Sequence, residues 1–282
     1  MRTQSRDTTP AFEQVYIARI RAFSPAKKFA SVRSWTQTLT TANFHIPYNS
    51  AEHLGERERM FHFLWREYGE MEAFAFRRAT EGNAHWVSPH PDLQLALLAI
   101  SDVFDHLGIP YALGGSLASS IYGFPQLVQE VVFYTDIPAA HIPALIQGFR
   151  PAFLFDEQHL REALEASSSF RLLHLASLVN VAILPVVSAF EKQLLQNKRA
   201  IHLIEGLSPL WMIGPEDSAL LQLVVYRRTG ANADDQWNDL LGLLKIQAPL
   251  LDLAYLQKQA VSLQVVDLLE RSLIDAGIHE EP

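Results

Sequence analysis

Gly114, Gly115 and Ser116 stand where a short apolar stretch meets a helical pattern that stops at Gly123. Two glycines let a backbone approach a bulky anion closely. A serine at the start of a helix places a hydroxyl beside N–H groups that the helix leaves unpaired. These three residues therefore predict a turn that binds phosphate.

A second strand is predicted over residues 127–135, and it carries the acid Glu130. Side chains at i and i+2 share one face of a strand, so Val132 faces the same side as Glu130. The next acid on that face is Asp136, roughly 20 Å from Glu130 along an extended strand. That separation is too large for two acids to share metal ions about 4 Å apart. Glu130 therefore has no second acid within reach on its own face of the strand.

Residues 111–136 resemble the nucleotidyltransferase superfamily, in particular its small bacterial branch of minimal nucleotidyltransferases and toxin-type members of abortive-infection systems. In that family a Gly-Gly/Ser turn grips the triphosphate, a strand about a dozen residues later carries carboxylates at i and i+2, and a neighbouring strand carries a third. The resemblance implies Mg²⁺ and a nucleoside triphosphate as ligands. It implies Glu130 as the metal ligand and catalytic acid, and it places the second and third carboxylates at Val132 and Ala182. Gln126 stands where an arginine is usual. The chain keeps the phosphate turn and one of three acids.

The resemblance continues into the C-terminal part and covers residues 92–276 in all. Residues 211–230, WMIGPEDSALLQLVVYRRTG, resemble the family pattern SPEDLILxKLxWYRxGG, and the segments that follow resemble the closing helices of the family. Arg227, Arg228 and Asp234 lie here as secondary candidates for nucleotide contact. The alternative is that they and Trp237 tie the helices to the core by ion pairs and an aromatic anchor. The fold implied is α+β, a small mixed sheet flanked by helices.

Composition restricts the classes of function. The chain has 282 residues, no cysteine and a net charge of −8. Disulfides and thiolate metal sites are excluded, and a reducing cytoplasm is the expected location. Residues 1–85 carry 12 basic and 9 acidic side chains, a balance of +3, which leaves −11 for the rest. This acidic remainder argues against non-specific nucleic-acid binding, and no long uncharged apolar run predicts a membrane span.

Three segments are predicted along the chain: N-terminal helices over 1–85, a nucleotidyltransferase-like core over 86–208, and a C-terminal helical segment over 209–282. Turn-forming residues make 81–91 the candidate linker. Periodicity predicts one long helix over 52–80, a helix over 92–107 and an edge strand over 211–213. His106 and His174 lie on apolar stretches, which favours buried core histidines over catalytic bases.

Three functions are compatible with these features. The first is an eroded relative that keeps the fold and binds a nucleotide or a partner. The second is an active nucleotidyltransferase that moves a nucleoside monophosphate from Mg²⁺–NTP to a hydroxyl on RNA, protein or a small molecule. The third is a structural partner in a toxin–antitoxin or phage-defence pair, with the N-terminal helices as the interface. The loss of two acids favours the first.

Overall fold

The computed structural model describes residues 2–4, 8–45, 54–81, 90–229 and 234–278. This part combines helices with both parallel and antiparallel strand pairs, so the predicted α+β class is confirmed. In chain order the elements are α1 Pro10–Arg21, α2 Pro25–His45, α3 Glu56–Tyr68, α4 Glu70–Thr80, α5 Leu93–Leu107, β1 Tyr111–Gly114, α6 Gly115–Tyr122, β2 Glu130–Thr135, α7 Ile142–Phe149, β3 Phe153–Leu154, α8 Glu157–Glu165, β4 Phe170–His174, β5 Asn180–Pro185, α9 Ala189–Gln196, β6 Arg199–Ile201, β7 Leu210–Met212, α10 Pro215–Thr229, α11 Asp234–Gln247, α12 Leu253–Leu263 and α13 Val266–Ala276. A short 3₁₀ turn, Ala139–His141, precedes α7.

The chain forms two compact units that are interleaved in sequence. The first unit contains residues 1–32, 111–126 and 187–282, and the second contains residues 33–110 and 127–186. The predicted division into 1–85, 86–208 and 209–282 stays a prediction. Most of the predicted linker lies outside the described residues. Within those residues, no helix is both long and apolar enough to cross a membrane.

The first unit holds three strands in the order β1-β7-β6. β1 runs parallel to β7, and β6 runs antiparallel to it. The prediction of an edge strand over 211–213 is therefore wrong, because β7 is hydrogen-bonded on both sides. The neighbours of a strand are set by the topology of the sheet, which the local sequence pattern does not encode. Helices α10, α11 and α13 pack together and bury a set of leucines: Leu220, Leu223, Leu240, Leu243, Leu269 and Leu273.

The second unit holds four strands in the order β3-β4-β5-β2. β2 and β5 are parallel, whereas β4 pairs antiparallel with both β3 and β5. β4 and β5 thus form a hairpin. α5 and α7 pack against each other, and the ring of Phe104 contacts the rings of Phe133 and Phe149 at 5.7 and 6.3 Å.

The predicted long helix over 52–80 is wrong, because Gly69 divides the segment into α3 and α4. Gly69 has φ 107°, a conformation that favours glycine, and its N–H bonds to the carbonyls of Leu64 and Trp65. The two helices fold back on one another and share a buried cluster that includes Phe61, Leu64, Ala73 and Phe76. Folding back buries apolar side chains that a single straight helix would leave apart.

The helix over 92–107 is confirmed, and it begins at a strong N-cap. Asp92 Oδ1 accepts a hydrogen bond from the N–H of Gln94 at 2.9 Å. The Asp92 carboxylate also accepts hydrogen bonds from Nε and Nη2 of Arg33 at 2.6 and 2.5 Å. Gly108 ends the helix in the left-handed conformation. Arg33 thereby joins α2 to the start of α5.

Candidate functional site

The predicted phosphate turn lies at the junction of β1 and α6, in the first unit. Gly114 ends the strand, and Gly115 opens the helix with φ 60°, a value that L side chains rarely adopt. Ser116 is exposed, and no side chain caps the start of the helix. N–H groups in the first turn of a helix have no partner within the helix, so this turn offers hydrogen-bond donors to an anion.

The C-terminal end of α6 is held by two side chains from distant helices. Lys28 of α2 donates from its buried Nζ to the carbonyls of Ile121 and Gly123 at 2.9 and 3.2 Å. Gln247 of α11 donates to the carbonyl of Tyr122 at 2.7 Å. A cation at this end is favourable because the carbonyl end of a helix carries partial negative charge. Burial lowers the pKa of Lys28 to about 8.

The sequence analysis missed the contacts of Lys28, because Lys28 is one of two adjacent lysines at the start of α2 and the sequence does not distinguish them. Its burial is the observation that separates it from Lys27, which is exposed and lies 3.9 Å from the centre of the Phe23 ring. Gly123 is also required by packing, since a Cβ there would lie 2.8 Å from the Ser119 carbonyl oxygen. The helix behind the phosphate turn is therefore fixed in place.

Glu130 lies at the start of β2, in the second unit, and it is engaged in an ion pair. Its Oε1 accepts a hydrogen bond from Nε of Arg171 at 2.7 Å. Arg171 lies on β4, one strand beyond β5, so its side chain reaches past β5 to the acid. The sequence analysis did not single out Arg171. Its signal was a lone charged residue in the otherwise apolar strand Phe170–His174.

Val132 and Ala182, the two positions without acids, lie side by side. They are register partners on the parallel strands β2 and β5. Arg171 is in turn the antiparallel partner of Ala182. Partners across a sheet share a face, so Arg171, Ala182, Val132 and Glu130 all belong to one face of this sheet.

The residues on this face do not fit a magnesium site. Valine and alanine have no oxygen ligand to offer, and the carboxylate of Glu130 already binds a guanidinium. Mg²⁺ is bound in proteins through oxygen ligands, chiefly carboxylates and phosphates. Among the described residues, no three His, Asp or Glu side chains are grouped so that they could hold a metal ion.

The secondary candidates at the C-terminal end make ion pairs inside the first unit. Arg227 of α10 pairs with Asp267 of α13, and Asp234 at the start of α11 pairs with Arg2 at 3.3 Å. Arg228 is exposed near the end of α10. The two pairs favour the structural alternative for Arg227 and Asp234, in which they hold helices to one another.

The acids of the PED sequence, Glu216 and Asp217, are both buried and also bind within this unit. Glu216 accepts hydrogen bonds from Arg199 at 2.9 Å and from the N–H of Asp252 at 3.2 Å. Asp217 accepts one from the hydroxyl of Tyr255 at 2.6 Å, and burial raises its pKa. These contacts join the first turn of α10 to β6 and α12.

The two histidines differ from each other. His174 is buried as predicted, with its Nδ1 2.7 Å from the Ser177 hydroxyl, and burial lowers its pKa to about 4. The prediction for His106 is wrong, because its side chain is exposed on the solvent side of α5. Neither arrangement indicates a catalytic base.

A cleft of about 160 Å³ opens near the start of β2 and β5, in the second unit. Its lining side chains are uncharged, and they combine apolar groups with hydroxyl and amide groups. The lining residues are Thr36, Leu39, Thr40, Phe63, Pro91, Leu127, Val128, Gln129, Ser177, Leu178, Val179 and Asn180.

Gln126, which stands where the family resemblance expects arginine, contacts the acid Asp239. Its Nε2 donates to Asp239 Oδ1 at 2.6 Å. Burial raises the pKa of Asp239 to about 6, although the hydrogen bond from Gln126 partly opposes this shift. The hydrogen-bond partner of Asp239 is therefore a neutral amide, which adds no positive charge to stabilise the ionised acid.

We expect Asp239→Asn to be more stable than the wild type at pH 7 and equally stable near pH 4. An aspartate with a pKa raised from about 3.9 in the unfolded chain favours folding when protonated. That contribution is complete below about pH 4 and is lost as the pH rises through about 6. Urea unfolding of both proteins from pH 4 to 7.5 measures the difference. A constant difference across this range would contradict the assignment.

Comparison with known proteins gives limited similarity. No protein-family profile matches the chain. No curated protein matches it either. Among solved structures, the chain is similar to the crystal structure of an antigenic nucleotidyltransferase-like protein from Paracoccidioides brasiliensis. The two are 16% identical over 63% of this chain and 90% of that chain, with a TM-score of 0.41.

Proposed function

We propose that this chain is a catalytically eroded nucleotidyltransferase-fold protein that acts as a nucleotide-binding module in the cytoplasm. The observation that carries the proposal is the turn at Gly115, with φ 60° and the exposed Ser116 at the uncapped start of α6. The family resemblance of residues 92–276 supports the choice of a nucleotide as the anion. A chain without cysteine suits a reducing compartment.

Loss of turnover is the second part of the proposal. Phosphoryl transfer depends mainly on positioning and on electrostatic stabilisation of the triphosphate. Losing one preorganised stabilising group often lowers the rate about a hundred- to a thousand-fold. Val132 and Ala182 stand at two of three acid positions of the resemblance, and the remaining acid pairs with Arg171. We therefore expect binding without transfer.

Calorimetric titration with ATP, GTP, CTP and UTP, each with Mg²⁺ and with EDTA, tests the binding. At least one triphosphate should bind, and Ser116→Trp should weaken it tenfold or more by filling the turn. Ser262→Trp is the matched control, because Ser262 is exposed on α12 of the same unit. Incubation with labelled triphosphate and RNA or protein acceptors should give no incorporation.

Incorporation that is lost in Glu130→Gln would overturn the eroded state and support an active enzyme. Absence of binding to all four triphosphates would overturn the nucleotide-binding role. The partner-binding role would then be favoured by the apolar face of α1, where Phe12, Val15 and Tyr16 are 66%, 69% and 41% exposed. In that case Phe12→Ser with Val15→Ser should abolish capture of the partner.

A further inference from the structure

We infer that Arg171 takes the place of the metal ions and binds a phosphate-bearing anion without a divalent cation. The inference rests on the proposed nucleotide-binding function, because the family resemblance implies that positions 130, 132 and 182 would hold the metal ions of a nucleotidyltransferase. It concerns the chemistry of the face, where apolar side chains and a guanidinium stand in place of acids. The steps below use contacts within the second unit alone.

The position of Arg171 is set by three strands. Arg171 on β4 is opposite Ala182 on β5, which is opposite Val132 on β2. Neighbouring strands are about 4.8 Å apart, so an extended arginine side chain can span β5 where the residue beneath it is small. Alanine at position 182 provides this space, and Nε of Arg171 reaches Glu130 at 2.7 Å. The guanidinium therefore lies on the face that carries positions 130, 132 and 182.

Only some of the N–H groups of this guanidinium are used within the described residues. Nε is used by Glu130, and neither Nη group makes a hydrogen bond to any of the described residues. The side chain of Arg171 is 73% exposed, so both Nη groups are accessible from solvent. A guanidinium edge with free N–H groups matches two oxygens of a phosphate, which is the geometry that favours arginine over lysine at phosphate sites.

Glu130 has a different role in this arrangement from that of a metal ligand. Its carboxylate orients Arg171 through Nε and also partly neutralises its positive charge. A charge 4 Å away contributes about 1 kcal/mol in water, which corresponds to roughly a fivefold change in affinity. Removing the charge of Glu130 should therefore strengthen anion binding. A metal ligand would behave in the opposite way, because its removal would abolish binding that needs Mg²⁺.

The experiment titrates inorganic tripolyphosphate and ATP into the full chain in EDTA and then in Mg²⁺. We expect tripolyphosphate to bind in EDTA and to bind no more tightly when Mg²⁺ is present. Arg171→Ala should weaken this binding tenfold or more, and Arg171→Lys should restore only part of it. Glu130→Gln should strengthen it about fivefold. Arg161→Ala is the matched control, an exposed arginine in the same unit that also pairs with a glutamate.

Three outcomes would overturn the inference: absence of tripolyphosphate binding in EDTA, equal loss of binding in Arg161→Ala, or a loss of binding in Glu130→Gln.

Failure of the proposed function gives a different pattern. If Ser116→Trp weakens ATP binding while Arg171→Ala leaves the binding of both ATP and tripolyphosphate unchanged, the nucleotide-binding proposal stands and the inference fails. If Arg171→Ala weakens tripolyphosphate binding while Ser116→Trp leaves ATP binding unchanged, the inference stands and the phosphate turn fails. Circular dichroism of each variant confirms folding before titration.

Discussion

Replacing Lys245 with methionine is expected to lower the free energy of unfolding by about 3–5 kcal/mol, the usual cost of breaking a buried ion pair. The Nζ of Lys245 lies 3.0 Å from Oε1 of Glu13 and also donates to the carbonyl of Arg2. The two side chains are 1% and 2% exposed. Methionine fills the same space but leaves the Glu13 carboxylate buried without its cation. Chemical unfolding followed by circular dichroism measures the loss.

Two further variants separate the ion pair from general packing. Glu13→Gln combined with Lys245→Met removes both charges, so it should recover a large part of the lost stability. Arg227→Met breaks the exposed pair with Asp267, and exposed pairs contribute about 0–1 kcal/mol. A loss below about 1 kcal/mol in Lys245→Met would contradict the assignment.

Because of this ion pair, partner binding by the N-terminal helices cannot be tested by deleting them. Glu13 accepts a further hydrogen bond from the N–H of Gln4 at 2.8 Å, and Arg21 donates to the carbonyl of Ile246 at 3.0 Å. Lys28 holds the end of α6. Deleting residues 1–85 would remove all these contacts and unfold parts of the first unit. Point substitutions on the exposed face of α1 are therefore the right test of partner binding.

Local signals in the sequence were sufficient to place α5 and the junction of β1 and α6. Asp92 and Gly108 delimit α5 because capping is decided by neighbouring residues, and the glycines at 114 and 115 mark the junction of β1 and α6 in the same way. Gly69 carried a signal of the same kind, a glycine within a helical pattern. The apolar stripe continues on both sides of Gly69, and it therefore predicted one helix where the structure has two.

The contacts that define the site could not be read from the sequence, because they join residues far apart in the chain. Arg171 meets Glu130 across 41 positions, and Lys28 meets Ile121 across 93. Their geometry depends on strand order and register, which propensity and periodicity do not encode. β7 shows the same limit, since its partners on both sides are set by topology. Positions 132 and 182 could be compared with the family pattern, yet their direct pairing required the structure.

Replacing Trp237 with alanine is expected to cost about 3–5 kcal/mol, the range for removing a large buried aromatic side chain. Trp237 is 1% exposed, and its ring centre lies 4.9 Å from that of Tyr226 and 4.6 Å from the guanidinium of Arg271. Its Nε1 donates to Asp275 at 2.9 Å, which joins α11 to α13. Thermal and urea unfolding measure the loss.

Two tryptophan variants show whether burial causes this effect. Trp237→Phe keeps the ring contacts and loses the bond to Asp275, so it should cost about 1–3 kcal/mol. Trp211→Ala removes a side chain that is 38% exposed and contacts Lys198 at 4.7 Å, a cation–π contact worth about 0.5–1 kcal/mol at exposed sites. If Trp211→Ala destabilises the protein as much as Trp237→Ala, the anchoring role of Trp237 is wrong. If the predicted order holds, Trp237 is, with Lys245, one of the residues that fix α11. The Gln247 side chain of α11 then holds the end of α6 that follows the predicted phosphate turn.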